Sequence, residues 1–285
     1  MSSPPRSLLD PARSVQGRFR PDEVPLLSTY FTSRADPQKD TRQDQVVVRN
    51  NDESYLAAWY GSVRAHGLRA IVLHDDLAPE FVERFETEDI RFLRCSLGSY
   101  SLNDERFFLY LDLLRELPVR GAFATDISDV TLGGDPAKLL ERRAQIFVGR
   151  DRWDKIRCSD WMRAKIEEAA VPLGIAGDSR FLEQPLFNAG VLGGRRADFL
   201  AFLIRMTGAL ETLDNDRNHN MVALNFVLYR HYFDHAYRFK PFTGQTRTNP
   251  ACDPDAQVHP ILSGFPVCSE YKAYQADSEA IFRHK

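Results

Sequence analysis

Strand-length apolar runs alternate with amphipathic helix patterns along the first half of this chain, and that alternation restricts the fold more than any other feature of the sequence. VPLLSTYF over 24–31, AIVLH over 70–74 and the run over 90–95 read as strands, and residues 55–66 read as a helix between the first two. Asn103, Asp104 and Glu105 then open a further helix, where carboxylates suit the positive field of the first turn. Its apolar residues Phe107, Phe108, Tyr110, Leu111, Leu114 and Leu117 recur at helical spacing. Strands joined in this βαβαβ order pair in parallel through crossover helices, so the expected fold is α/β, a mostly parallel sheet flanked by helices.

Beyond residue 130 the pattern continues, with strands expected over 145–148 and 186–192 and long helices over 197–213 and 217–232. No linker or repeat divides the chain, so one domain is expected over 24–285, with a looser segment at 243–257. Residues 1–23 carry Pro4, Pro5, Pro11 and Pro21 and lack the apolar core of a secretory signal, and they read as a flexible lead-in. A chain of 285 residues, 43% hydrophobic and 27% charged, is long enough to bury a large core. The net charge of −3, without a basic stripe interleaved with aromatics, argues against a nucleic-acid partner. The longest apolar helix, near residues 199–210, is broken by Arg205 and is too short to span a bilayer. Cys95, Cys158, Cys252 and Cys268 form no CxxC pair, which suits reduced thiols in a cytoplasmic protein.

Several chemistries are excluded by inspection. The chain holds no GxxxxGK, no GxGxxG after its first strand, no GxSxG and no HExxH, which sets aside phosphate-loop kinases, dinucleotide dehydrogenases and serine hydrolases. What the chain does hold is a buried-type strand, Ala122-Phe123-Ala124-Thr125, that runs into Asp126-Ile127-Ser128-Asp129-Val130. A parallel strand delivers its last residues to the carboxyl edge of the sheet, where open α/β folds bind ligands. Asp126 and Asp129 there read either as a capped turn or as carboxylates for a hard cation, Mg²⁺ or Mn²⁺, shared with the phosphates of a nucleotide. The second motif is Phe187-Asn188-Ala189-Gly190-Val191-Leu192-Gly193-Gly194, a strand carrying glycines that weaken it unless a ligand or another backbone approaches closely.

With these motifs the sequence resembles the metal-dependent nucleotide-sugar glycosyltransferases of the GT-A fold. Asp126 to Val130 looks like the family's DxD strand end, Phe187 to Gly194 looks like its FNAGVxGG strand, and the chain closes on Ile281-Phe282-Arg283-His284-Lys285, over a match spanning roughly 24–285. The resemblance implies a sugar transferred from a UDP- or GDP-sugar to a hydroxyl acceptor such as a glycan or polysaccharide, with Mn²⁺ or Mg²⁺ as cofactor. It implies that His284 completes a metal site with Asp129 and Asp126, and that Lys285 touches the diphosphate. Asp135 stands after Asp129 as a further Asp does in relatives, which makes Asp129 the direct ligand and lets Asp126 bind through water or the ribose.

The resemblance also places the nucleotide base at Thr29, Tyr30 and Thr32, a nucleotide-facing carboxylate at Asp75 or Asp76, and the donor sugar near Asn188, Ala189, Gly190 and Gly193. Tyr30 reads equally as core. The segment His219 to Asn225 is similar to the xDxxxLN helix of retaining families, but Asn220 and Met221 stand where those carry carboxylate or amide residues. Neither can act as a nucleophile, although Asn220 can hydrogen-bond a sugar. Arg106 reads as a partner for the diphosphate or for Asp126, or as an exposed helix residue. Asp151, Asp154 and Glu183 are equivalent in the sequence as general bases or surface acids. Two other readings stay open at this point: a non-catalytic nucleotide-sugar or carbohydrate-binding protein of the same fold, and a haloacid-dehalogenase-like phosphohydrolase, which Ser128 disfavours by standing where that class needs its second acid.

Overall fold

The central strands are buried along almost their whole length because both faces of the sheet are covered. The computed structural model describes residues 7–8, 15, 17–34, 51–142, 144–151, 155–214, 217–232, 259–263, 267–269 and 280–284. In chain order the elements are β1 (Ser7–Leu8), β2 (Leu26–Tyr30), α1 (Glu53–Ala65), β3 (Ala70–His74), α2 (Pro79–Phe85), β4 (Ile90–Ser96), α3 (Leu102–Glu116), β5 (Gly121–Thr125) and β6 (Val130–Leu132). They continue with β7 (Ala144–Arg150), α4 (Asp160–Ala169), α5 (Ser179–Leu182), β8 (Phe187–Arg195), α6 (Arg196–Leu210), α7 (Asn220–His231), β9 (His259–Ser263), β10 (Val267–Ser269) and β11 (Phe282–His284).

Local chemistry sets the helix ends. Asp52 caps α1 by accepting from the Ser54 amide at 2.9 Å, and Leu56, Trp59 and Val63 form the buried stripe that faces the sheet. Gly67, at φ 60°, takes the left-handed conformation that ends the helix. Pro79 starts α2, and Ser159 caps α4 through the Met162 amide. The sequence pattern did not separate α2, α4 or α5 from loop, because α2 and α5 are short and α4 buries only Met162, Ile166 and Ala169.

Among the described residues the strands form an eight-stranded sheet, ordered β1-β4-β3-β2-β5-β8-β7-β9, and a small sheet, ordered β10-β11-β6. Strands β4, β3, β2 and β5 are mutually parallel, as the βαβ order requires, whereas β8 runs antiparallel to both β5 and β7. The sheet is therefore mixed and flanked by helices on both faces. The order turns at β2, whose chain crosses to β3 on one side while β5 returns on the other, so the carboxyl ends of β2 and β5 flank the switch point where such sheets open a crevice.

One face packs on α3, α6 and α7 through residues such as Phe107, Phe199, Phe202 and Leu224, and the other packs on α1 and α2 through Trp59, Phe81 and Phe123. Within the segment expected as a lead-in, Ser7 and Leu8 pair with Ser96 and Cys95, and Val15 and Phe19 are buried. The 243–257 segment lies outside the described residues. No helix among the described residues is long and apolar enough to cross a membrane.

Candidate metal centre

Thr125, the last residue of β5, is fixed from two sides. Trp59 of α1 donates its indole N–H to Thr125 Oγ1 at 2.9 Å, and Ser28 of β2 donates to the Thr125 carbonyl at 2.7 Å. The next amide, of Asp126, donates to the Gly190 carbonyl at 2.8 Å, which extends the β5–β8 ladder by one residue. The chain then turns through Ile127, whose side chain is buried, and enters β6. Antiparallel to β6 lies β11, with Leu132 opposite Phe282 and Val130 opposite His284. Phe282 is fully buried against Phe123, with ring centroids 5.4 Å apart, and this apolar anchor carries His284 to the end of β5.

Asp126, Asp129 and His284 converge there, each offering one ligand atom within 4.8 Å of the others. His284 Nε2 lies 3.4 Å from Asp129 Oδ2, and the imidazole is buried. Donors about 2.1 Å from one octahedral ion stand roughly 3 Å apart when adjacent and about 4.2 Å when opposite, so this set needs only small adjustment to share a cation. Carboxylate oxygens suit Mg²⁺ and Mn²⁺ while imidazole favours a transition ion, and Mn²⁺ meets both preferences. The backbone is shaped for the imidazole as well. A β-carbon on Gly190 would overlap the His284 ring, and one on Gly133 would overlap the Ala280 carbonyl just before β11.

The two carboxylates are not equivalent. Arg106, buried on α3, forms an ion pair with Asp126 and donates to the Ala189 carbonyl at 3.5 Å. Burial alone would raise the Asp126 carboxyl, but the Arg106 charge and then His284 outweigh it and hold the group below the usual carboxylate range. Burial would likewise lower His284, yet the hydrogen bond and charge of Asp129, followed by Asp126 and Asp151, carry it upward. Asp129 is the more exposed of the pair and faces the imidazole directly.

Strand β8 supplies the adjoining wall. Asn188 Oδ1 accepts from the Gly190 amide at 2.7 Å, and its NH₂ group donates to Asp151 Oδ2 at 3.0 Å. The Ala189 amide lies 3.4 Å from the Met221 thioether, so Met221 is a packing residue against the Asn-Ala-Gly strand. Asn225, fully buried on α7, accepts from the Phe187 amide at 2.9 Å and donates to the Phe187 carbonyl at 3.0 Å, which clamps α7 to the start of β8. Asn220 is 2% exposed at the first turn of α7, and its side-chain oxygen finds no partner among the described residues. Gly193 lies away from this wall. It pairs with Phe123 and Phe147, and a β-carbon there would overlap the Ala122 carbonyl, so the absence of a side chain lets these strands approach.

The expected nucleotide contacts divide. Tyr30 is fully buried, its hydroxyl bonded to the Asp52 carbonyl at 3.0 Å and its ring packed on Tyr55 and Phe81, which leaves no face for a base. Thr29 is half-buried on β2, and Thr32 follows it at the switch point. The Asp75 carboxylate accepts from the amides of Thr32 at 2.8 Å, Ser33 at 3.0 Å and Asp76 at 2.8 Å, so it shapes the loop after β2. Asp104 and Glu105 stand in the first turn of α3, and both are buried: Asp104 accepts from the His219 amide at 3.0 Å and Glu105 from the Tyr100 amide at 3.0 Å. Asp135 caps the turn that follows β6 through the Ala137 amide. Glu183 pairs with Lys155 at 2.6 Å and Arg157 at 2.7 Å on the surface. Lys285 and Asp154 lie outside the described residues.

No protein-family model matches the chain, and no curated protein sequence matches it either.

Proposed function

We propose that this chain is a divalent-metal-dependent glycosyltransferase of GT-A type that moves a sugar from a UDP- or GDP-sugar to a hydroxyl acceptor on a glycan or polysaccharide. The observation that carries the reading is the convergence of Asp126, Asp129 and His284 beside the β2–β5 switch point, with Gly190 cut back to admit the imidazole. A three-donor cluster at that edge, next to a buried arginine, suits a cation that is shared with a diphosphate. Asp129 and His284 would hold the ion directly. Asp126, already committed to Arg106, orients that guanidinium toward the phosphates and completes the shell. When bound, the cation neutralises charge on the departing diphosphate. Asn188 and the side-chain oxygen of Asn220, which has no partner among the described residues, are the polar groups this reading gives to the sugar.

A second reading, donor binding without turnover, draws on Met221, whose thioether packs on Ala189 where related helices carry a reactive or polar group. One experiment separates them. Calorimetry with UDP and GDP, with and without Mn²⁺, is followed by nucleoside-diphosphate release from a panel of nucleotide sugars. Mn²⁺-dependent binding with release supports transfer, and binding with no release from any donor supports the second reading. If neither nucleotide binds with Mn²⁺, both are wrong.

A further inference from the structure

Among the described residues, Arg106 is the only lysine or arginine that pairs with a member of the acid cluster. Its side chain is 8% exposed, and its guanidinium carbon lies 5.2 Å from the centroid of the buried Phe107 ring. One arm makes a charge-assisted bond to Asp126 Oδ1, and Asp126 is 28% exposed toward the edge of the sheet. The other arm reaches the Ala189 carbonyl at 3.5 Å, the outer limit of a hydrogen bond, and is held loosely. Withdrawal from Asp126 would leave a guanidinium buried without its counter-charge, so Arg106 stays beside the cluster when a second cation arrives.

That cation then shares Asp126 with the guanidinium. Two cations on one carboxylate stand about 4–6 Å apart, where even water-like screening costs the newcomer about tenfold in affinity. The balance of charge reverses once the ion is in place. At the end of β5, two carboxylates and one guanidinium sum to −1, and a divalent cation turns that to +1. A metal ligand's imidazole is neutral, so His284 leaves the sum unchanged. A site that repels a lone cation slightly and becomes positive on filling is matched to a cation that arrives with a polyvalent anion. The loosely held arm of Arg106 is a donor that such an anion can take over from Ala189.

We propose that Arg106 is a resident counter-cation that weakens the Asp126–Asp129–His284 cluster for a free divalent ion and couples the ion's binding to that of a diphosphate, an inference that rests on the diphosphate site of the reading above. Linkage makes the coupling reciprocal: the factor by which the diphosphate tightens the ion is the factor by which the ion tightens the diphosphate.

The test uses Mn²⁺ and inorganic pyrophosphate as probes, so it does not depend on any sugar donor. Free Mn²⁺ is titrated by electron paramagnetic resonance, and pyrophosphate binding with Mn²⁺ is followed by calorimetry, corrected for the complex the two form in solution. In Arg106→Gln, Mn²⁺ alone is expected to bind about tenfold tighter than in the wild type, while pyrophosphate with Mn²⁺ binds at least about tenfold weaker. Arg106→Lys keeps the charge and should hold Mn²⁺ within threefold of wild type. The double variant Arg106→Gln with Asp126→Asn removes both charges of the pair and keeps the test standing if Arg106→Gln alone does not fold. It is expected to bind Mn²⁺ within threefold of wild type and to lose pyrophosphate as the single variant does. Mn²⁺ affinity in Arg106→Gln within twofold of wild type or weaker, or a loss above tenfold in the double variant, overturns this inference. Mn²⁺-dependent binding of UDP or GDP by the wild type then leaves the transfer reading intact. Absence of Mn²⁺ binding by the wild type, alone and with pyrophosphate, overturns both.

Discussion

The imidazole of His284 lies against the α-carbon of Gly190, in the volume that a β-carbon would occupy. A glycine in the middle of a strand costs backbone entropy and packs nothing, so its presence is explained by the ring it admits. Gly133 stands in the same relation to the Ala280 carbonyl, and the two glycines together form the seat of the segment that brings His284 to the acids.

Gly190→Ala is expected to displace the imidazole and weaken Mn²⁺ binding about 10–100-fold, the range for losing the support of a metal ligand. Gly133→Ala should weaken it similarly by lifting β11 from β6. Titration calorimetry with Mn²⁺ alone reads both, and unchanged affinity in Gly190→Ala would remove His284 from the metal site.

Asp126 and Asp129 should respond differently to the same substitution. Asp126→Asn leaves the Arg106 guanidinium buried without its counter-charge, and the expected loss of stability is about 3–5 kcal/mol. Asp129→Asn removes a more exposed carboxylate and should change stability by less than about 1 kcal/mol while abolishing Mn²⁺ binding. Urea unfolding and calorimetry on the two variants check this contrast.

Thr125→Val keeps the shape of the side chain but leaves the Trp59 indole N–H buried without its partner. The expected destabilisation is about 1–3 kcal/mol, measured by urea unfolding. Trp59 fluorescence should shift as well, because the ring loses the bond that fixes it.

Asp104 makes stability depend on pH. Burial pushes its carboxyl up to about 7, against the His219 amide bond and the Arg106 charge, from an ordinary value of 3.8. The folded protein therefore holds this proton between about pH 4 and 7 while the unfolded chain has lost it, so the contribution is present at low pH and disappears as pH rises through 7. Relative to Asp104→Asn, the wild type is expected to lose about 2–4 kcal/mol between pH 4 and pH 8, read from urea midpoints at each pH. A difference independent of pH would mean that Asp104 ionises normally.

The parallel half of the sheet is legible in the sequence because most of its strand residues are buried and read as largely apolar runs, AIVLH in β3 being the plainest. The acids at the end of β5 are legible for the same reason, since the strand that carries them stops so abruptly. Tyr30 shows where such reading fails: an aromatic residue at a strand end looks like a platform for a base, and only the alternation that puts it on the same face as Leu26 marks it as core. Gly193 and Gly190 look alike in the motif, yet one faces a neighbouring backbone and the other an imidazole, a distinction set by which residue of β5 or β11 lies opposite. The bonds from Asn225 to Phe187, from Asp75 to Thr32 and from Asn188 to Asp151 join residues far apart in the chain, and no local spacing announces them.

The short pairing of β6 with β11 has a kinetic consequence. It closes a very long loop with three residues of ladder, so the entropy of closure is set against few hydrogen bonds, and this part of the molecule opens at lower free energy than β2, β3 and β5. Amide protons of the β6–β11 ladder, such as that of Gly133 bonded to the Ile281 carbonyl at 2.8 Å, should then exchange with deuterium through local opening, while those of Ala70 to His74 wait for global unfolding. Occupancy of the acid cluster would slow exchange in the first group and leave the second unchanged, which makes the rhythm of exchange at β6 a direct readout of a filled site.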